Sequence, residues 1–233
     1  MSYRCKAFIF DLDGTLVDSA AIVERVMRHW CRENEIDYAQ VRDSSRSSRT
    51  EDTVRNVAPH LNCTLEAEKI EAIERDELAN ISEIAGASDF LAPIPPHLWG
   101  LATSSETATA EAKLEAAGLP IPSTLIGGDR VENGKPHPEA YTCAAAALGF
   151  SPRDCLAFED SDTGIDSALA AGCSVFMIGT DLPRAESRIV GAARDFRHLK
   201  LKVEAPLSLN LSYPQNAEQV VDDQSPTRRG VDA

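Results

Sequence analysis

The chain has 233 residues, 43% hydrophobic and 26% charged, with a formal net charge of −14. Such a composition describes a globular protein with room for one generous domain or a core plus a smaller one. The acidic balance excludes nucleic acid and anionic membrane as principal partners, since both demand basic patches, and any anion site must be assembled locally from a few cations.

The opening MSYRCKAFIF has too short an apolar run for a signal peptide, and no stretch approaches a membrane span. Six cysteines are scattered without C-x-x-C or Cys/His spacing. They read as reduced, mostly buried thiols of a cytoplasmic chain.

The first β-type run is AFIF (7–10), and it ends directly in DLDGTLVDS, which sets Asp11 and Asp13 two residues apart. Residues 20–85 then hold helical stretches such as AAIVERVMRHWCREN and LEAEKIEAIERDEL, with nothing strongly strand-like. A simple crossover needs far less chain, so this stretch is expected to be a separate all-helical domain. It splits a core made of residues 1–19 and 86–203. Further strand runs follow at LWGLAT (98–103), TLIGG (124–128), CLAFED (155–160) and CSVFMIG (173–179). Helical patterns at 106–119, 138–150 and 163–172 separate them, each with a glycine at or near its end. Strands alternating with helices predict an α/β fold, a parallel sheet with helices on both faces. Ligands of such sheets sit outside the carboxyl ends of the strands. From residue 204 to 233 the chain is polar and broken by prolines, and a disordered tail is expected there.

FEDSDTG (158–164) repeats the logic of the opening motif, with an apolar run ending in Glu159 and Asp160. If both strands are central, four carboxylates meet at one edge of the sheet. Two such charges about 4 Å apart cost roughly 4 kcal/mol at an effective dielectric near 20. A hard divalent cation with oxygen ligands resolves that cost, and Mg²⁺ favours one or two carboxylates with waters and a substrate phosphate. Thr103 and Ser104 in ATSSE end another strand just before a helix, where hydroxyls and free N–H groups can cradle an anion. Lys135, in GKPHPE, supplies a cation that can bind a phosphoryl oxygen and keep a nucleophilic aspartate ionised. The bland readings go elsewhere. Asp18 and Asp162 read as helix-start or turn residues, His137 as a loop residue, and Trp30 and Trp99 as core anchors.

In order and spacing, DLDGTLVDS, ATSSE, GKPHPE and FEDSDTG resemble the four motifs of the haloacid dehalogenase superfamily. The resemblance implies a Rossmann-like core with a helical cap inserted after the first motif. It implies Asp11 as nucleophile, Asp13 as acid/base, and Thr103, Ser104 and Lys135 as phosphoryl-binding groups. Mg²⁺ would be held by Asp11, Asp160 and the backbone carbonyl of Asp13, with Glu159 as a ligand or a neighbour of the ligands. In the cap, SSR (47–49) stands where related enzymes often carry His-Gly-Arg, which makes Arg49 a substrate-contact candidate. The implied activity is a Mg²⁺-dependent phosphomonoesterase on a small sugar or polyol phosphate, as a monomer or small homo-oligomer, with phosphoglycolate as another substrate to consider. One rival is a mutase similar to β-phosphoglucomutase. Those enzymes carry a histidine where this chain has Val23, and His29 lies too far along. A non-catalytic binding protein would be expected to lose a motif residue, and none is lost.

Overall fold

The computed structural model describes residues 1–42, 44–180, 183–204 and 208–214. In chain order the first strands are β1 (Ser2–Cys5), β2 (Ala7–Phe10) and β3 (Val17–Asp18), followed by helices α1 (Ala20–Glu33), α2 (Thr50–Val57) and α3 (Cys63–Asp76). Then come β4 (Ser82–Glu83), α4 (Ala87–Leu91), β5 (Trp99–Ala102), α5 (Thr107–Ala116), β6 (Leu125–Ile126) and α6 (Glu139–Leu148). The chain continues through β7 (Cys155–Glu159), α7 (Asp162–Ala171), β8 (Ser174–Ile178), β9 (Ile189–Ala193), β10 (Lys200–Glu204) and β11 (Ser208–Ser212).

The all-apolar runs become the inner strands of a six-stranded sheet ordered β6-β5-β2-β7-β8-β9, with every neighbouring pair parallel. Every residue of β2, β5, β7 and β8 is buried, as expected where helices cover both faces. Alternate side chains build two unlike layers. Phe8, Phe10, Phe158 and Phe176 join Phe90 and Phe196 on one face, where Phe10 stacks on Phe158 at 4.7 Å. On the other, Ala7, Ile9, Ala157 and Val175 meet the alanine-rich helices α6 and α7, whose small side chains let them lie close. The strand order reverses between β2 and β7, so the crevice outside their carboxyl ends is a topological switch point. This is the expected α/β, Rossmann-like architecture.

Helices α1 to α3 are inserted between β3 and β4. Those two short strands pair antiparallel, Val17 with Glu83 and Asp18 with Ser82, so the chain leaves the core and returns to it side by side. Helix α1 buries Ile22, Val26, Met27 and Trp30 along one stripe. The indole of Trp30 donates to Glu66 Oε2 at 2.9 Å, tying α1 to α3.

The expected tail needs correction at its start. Residues 208–212 form β11, which pairs antiparallel with both β1 and β10. The alternation in SLNLS buries Leu209 and Leu211 completely. A five-residue period-two signal beside a proline is too short to stand out without its partners. Residues 215–233 of the expected tail lie outside the described residues. Strand β9 is likewise an element that the sequence pattern did not announce.

Candidate active site

Asp11 follows β2 and donates its N–H to the Phe158 carbonyl at 3.0 Å. That bond prolongs the β2–β7 ladder and brings the acids ending both strands to one edge of the sheet. The next turn requires Gly14. Its φ is +82°, and a Cβ there would stand 2.1 Å from Asp160 Oδ2. Thr15 Oγ1 donates to Asp160 Oδ1 at 3.4 Å from the same turn.

Lys135 is buried between two acids. Its Nζ donates to Asp11 Oδ1 and to Glu159 Oε1, each at 2.6 Å. Glu159 is fully buried, and both its oxygens are engaged. Oε1 also accepts from the Tyr141 hydroxyl at 2.8 Å, and Oε2 from the N–H groups of Asp160 and Ser161 and from Ser161 Oγ. Helix α7 starts here, with Ser161 Oγ accepting from the Gly164 N–H at 3.1 Å. Gly164 must lack a side chain, since a Cβ would lie 1.7 Å from Glu159 Oε1.

Asp13 sits in a second ion pair that sequence reasoning missed. Its Oδ1 accepts from Lys113 Nζ at 2.7 Å and from the Ser19 hydroxyl, and its Oδ2 from Ser105 Oγ at 2.8 Å. Lys113 is 1% exposed. It also contacts Glu74 Oε1 of α3 at 2.7 Å, linking the core to the inserted helices. Glu71, one turn earlier on α3, is buried beside it and accepts from Thr50 Oγ1 at 2.6 Å. A signal for these residues existed. Lys113 shares the buried stripe of α5 with Thr109, Ala110 and Leu114, and Glu71 and Glu74 share that of α3 with Ala67 and Ile70. Charged residues inside an apolar stripe ask for a partner.

Electrostatics separates the acids. Burial raises the Asp11 carboxyl to about 7, with Lys135 pulling it down and Glu159 pushing it up. Desolvation at the crowded sheet edge, then Asp11 and Glu159, push the Asp160 carboxyl up to about 8, although the residue itself is exposed. Asp13 goes the other way: burial alone would raise it, yet Lys113, Ser19 and Ser105 together hold it below the usual carboxylate range. For Lys113 and Lys135, burial disfavours the charge, but the adjacent carboxylates outweigh it and keep both ammonium groups protonated.

Carboxylate oxygens of Asp11, Glu159 and Asp160 all lie within 4.8 Å of one another. Hard oxygen donors set so close, with two of the carboxyls raised by desolvation and mutual repulsion, fit a divalent cation. Glu159 fits less well as a direct ligand, since its hydrogen bonds already occupy both oxygens.

The remaining candidates divide. Thr103 is buried at the end of β5 with Oγ1 accepting from the Ser105 N–H at 3.2 Å. The Ser104 hydroxyl donates to the Ser47 carbonyl at 2.9 Å, so that side chain ties the inserted loop to the core. Arg49, the substrate-contact candidate of the insertion, pairs its guanidinium with Asp52 at 2.6 Å and donates to the Val131 carbonyl at 3.0 Å. The arginine therefore fastens the insertion to the loop preceding Lys135. The reason is local: Asp52 lies one helical turn on, and Gly128 and Gly134 leave room for the side chain to lie flat.

Comparison with known proteins now bears on this geometry. The family model described as haloacid dehalogenase-like hydrolase matches residues 8–178. The chain belongs to that family. It is 37% identical over 191 residues to hexitol phosphatase A of Escherichia coli (strain K12), covering 78% of this chain and 87% of that one. It is 30% identical to glycerol-1-phosphate phosphohydrolase 2 of Saccharomyces cerevisiae, covering 77% of each. Among solved structures, CbbY from Rhodobacter sphaeroides in complex with phosphate superposes with a TM-score of 0.68 at 22% identity, covering 82% of this chain and 95% of that one. At that identity the likeness speaks for the fold.

Proposed function

We propose that the protein is a Mg²⁺-dependent phosphomonoesterase that hydrolyses a small sugar or polyol phosphate through an aspartyl-phosphate. The observation that carries this reading is the pair of lysine-held aspartates at one sheet edge. Asp11 is bound to Lys135 through Oδ1 only, and Asp13 is bound to Lys113. Relatives named as hexitol and glycerol-1-phosphate phosphatases support the substrate class.

In this mechanism Lys135 holds one Asp11 oxygen and leaves Oδ2 to attack phosphorus, while Thr103 and the backbone beside it receive phosphoryl oxygens. Asp13 donates a proton to the departing alcohol and later removes one from the water that cleaves the acyl phosphate. Glu159 positions Lys135 and orders the start of α7. Mg²⁺, held by Asp11, Asp160 and the Asp13 carbonyl, would neutralise charge on the transferring group. Residues 20–85 act as a cap over the site, with core segments on either side of it. A cap of this size suits metabolites and excludes folded phosphoproteins. Val23 lines the cavity at Asp13, and an apolar residue there supports water as phosphoryl acceptor over a sugar phosphate.

The test is phosphate release from polyol, hexose and pentose phosphates with and without Mg²⁺. Asp11→Asn is expected to lower turnover by more than about 10³-fold with the fold intact by circular dichroism. Near wild-type turnover in that variant refutes the mechanism.

A further inference from the structure

Beside Asp13, between α5 of the core and helices α1 to α3, lies a cavity of about 40 Å³. One water needs roughly 10–15 Å³ by this measure, so a few polar heavy atoms fit without rearrangement. Its wall includes Asp13, Thr53, Glu71, Glu74, Ser105 and Lys113.

Two features of this wall go beyond what the reaction at Asp11 requires. The first is unmet hydrogen-bonding capacity. Glu71 is 2% exposed and Thr53 fully buried, yet Glu71 Oε2 and Thr53 Oγ1 have no partner of hydrogen-bond geometry among the described residues. Glu71 Oε1 is taken by Thr50, and the Thr109 hydroxyl, which accepts from Arg75 and keeps its own proton to donate, lies beside Glu71 and meets only part of its need. Buried acceptors without donors are costly, so such a site favours a molecule that brings donors. The second is charge. Among the described wall residues, one cation, Lys113, faces three carboxylates, Asp13, Glu71 and Glu74. Even with one carboxyl protonated, the cavity stays net negative.

We propose that Glu71, with Thr53 and Glu74, forms the subsite for the alcohol being released, and that it selects neutral polyhydroxylated groups. Hydroxyls donate to Glu71 Oε2 and Thr53 Oγ1, and a carboxylate at the same place is repelled by the surrounding acids. The inference rests on the phosphatase reading of Asp11 and Asp13. It makes glycerol-like polyol phosphates substrates, and phosphorylated acids such as phosphoglycolate poor ones. The acids responsible come from the inserted helices, so selectivity is set by α3 and chemistry by the core.

The experiment uses a matched set: glycerol 3-phosphate, 3-phosphoglycerate, which replaces the terminal CH₂OH by a carboxylate, and propyl phosphate, which lacks both hydroxyls. The kcat/KM ratios are read with Mg²⁺ for the wild type, Glu71→Gln and Thr53→Val. The wild type should favour glycerol 3-phosphate over propyl phosphate by about 10-fold or more, and over 3-phosphoglycerate by about 100-fold or more. Glu71→Gln should shrink both ratios by about 5-fold or more, and Thr53→Val the first of them. Should Glu71→Gln fail to fold, Thr53→Val decides on the same ratio. Unchanged ratios in the folded variants, or a wild type that accepts 3-phosphoglycerate as readily, overturn the subsite. Asp11-dependent hydrolysis of p-nitrophenyl phosphate tests the parent reading separately. Its presence without the selectivity sinks only the subsite, whereas its absence, with no release from any of the set, sinks both.

Discussion

Replacing Lys113 by methionine tests the architecture most directly. The Lys113 ammonium is 2.7 Å from both Asp13 Oδ1 and Glu74 Oε1, and it also donates to the Ser105 hydroxyl oxygen at 3.0 Å. Methionine nearly matches its volume, so the change removes charge and little packing. Breaking a buried ion pair by deleting one partner costs about 3–5 kcal/mol, because the remaining charges lie uncompensated. With a urea dependence of about 2–3 kcal/mol per molar, the midpoint should fall by about 1–2 M. Trp30 in α1 and Trp99 in β5 report by fluorescence on the insertion and the core respectively. Lys113→Met with Glu74→Gln should be less destabilised than the sum of the singles by about 1–3 kcal/mol, since the second change removes one orphaned charge. Activity should fall too, because Asp13 would lose the ammonium group that holds its carboxyl in position. A loss below about 1 kcal/mol, or strict additivity with Glu74→Gln, refutes the claim that this lysine joins the two parts of the chain.

Two further substitutions probe the site from other sides. Gly164→Ala places a Cβ 1.7 Å from Glu159 Oε1, on a side chain that has nowhere to move. Thermal unfolding should shift down by about 5–10 °C, from an overpacking cost of about 1–3 kcal/mol, and kcat should drop as Lys135 loses its seat. An unshifted transition would mean that Glu159 is not held as described. Glu71→Gln addresses pH. Burial raises the Glu71 carboxyl above its ordinary value, with Lys113 and Thr50 opposing the rise. The folded chain therefore keeps a proton that the unfolded chain releases, and stability is lost as pH climbs from the ordinary carboxylate range through the raised value. Glutamine mimics the protonated form, so the stability of Glu71→Gln relative to wild type should be greater at pH 8 than at pH 5; the reverse trend would contradict the burial argument.

Much of this protein is legible before folding. Runs such as AFIF and CLAF have no polar face, and only a strand covered on both sides tolerates that. Acids at the ends of two such strands must share an edge once the strands are parallel neighbours, so Asp11, Asp13, Glu159 and Asp160 converge by topology. Lys135 follows from the same logic, since buried carboxylates need a cation. What the chain pattern could not say is which surfaces meet across the insertion. Periodicity marks the stripes of α3 and α5 as buried but does not say that they face each other. The bond from Lys113 to Glu74 therefore exists only in the folded molecule. The same holds for Ser104 and Arg49, whose partners Ser47 and Val131 lie far off in sequence, and for β11, which becomes a strand by pairing with the first residues of the chain. Local sequence dictates which groups need a partner, whereas long-range packing decides which partner each receives, because the distances between elements are set by the whole core.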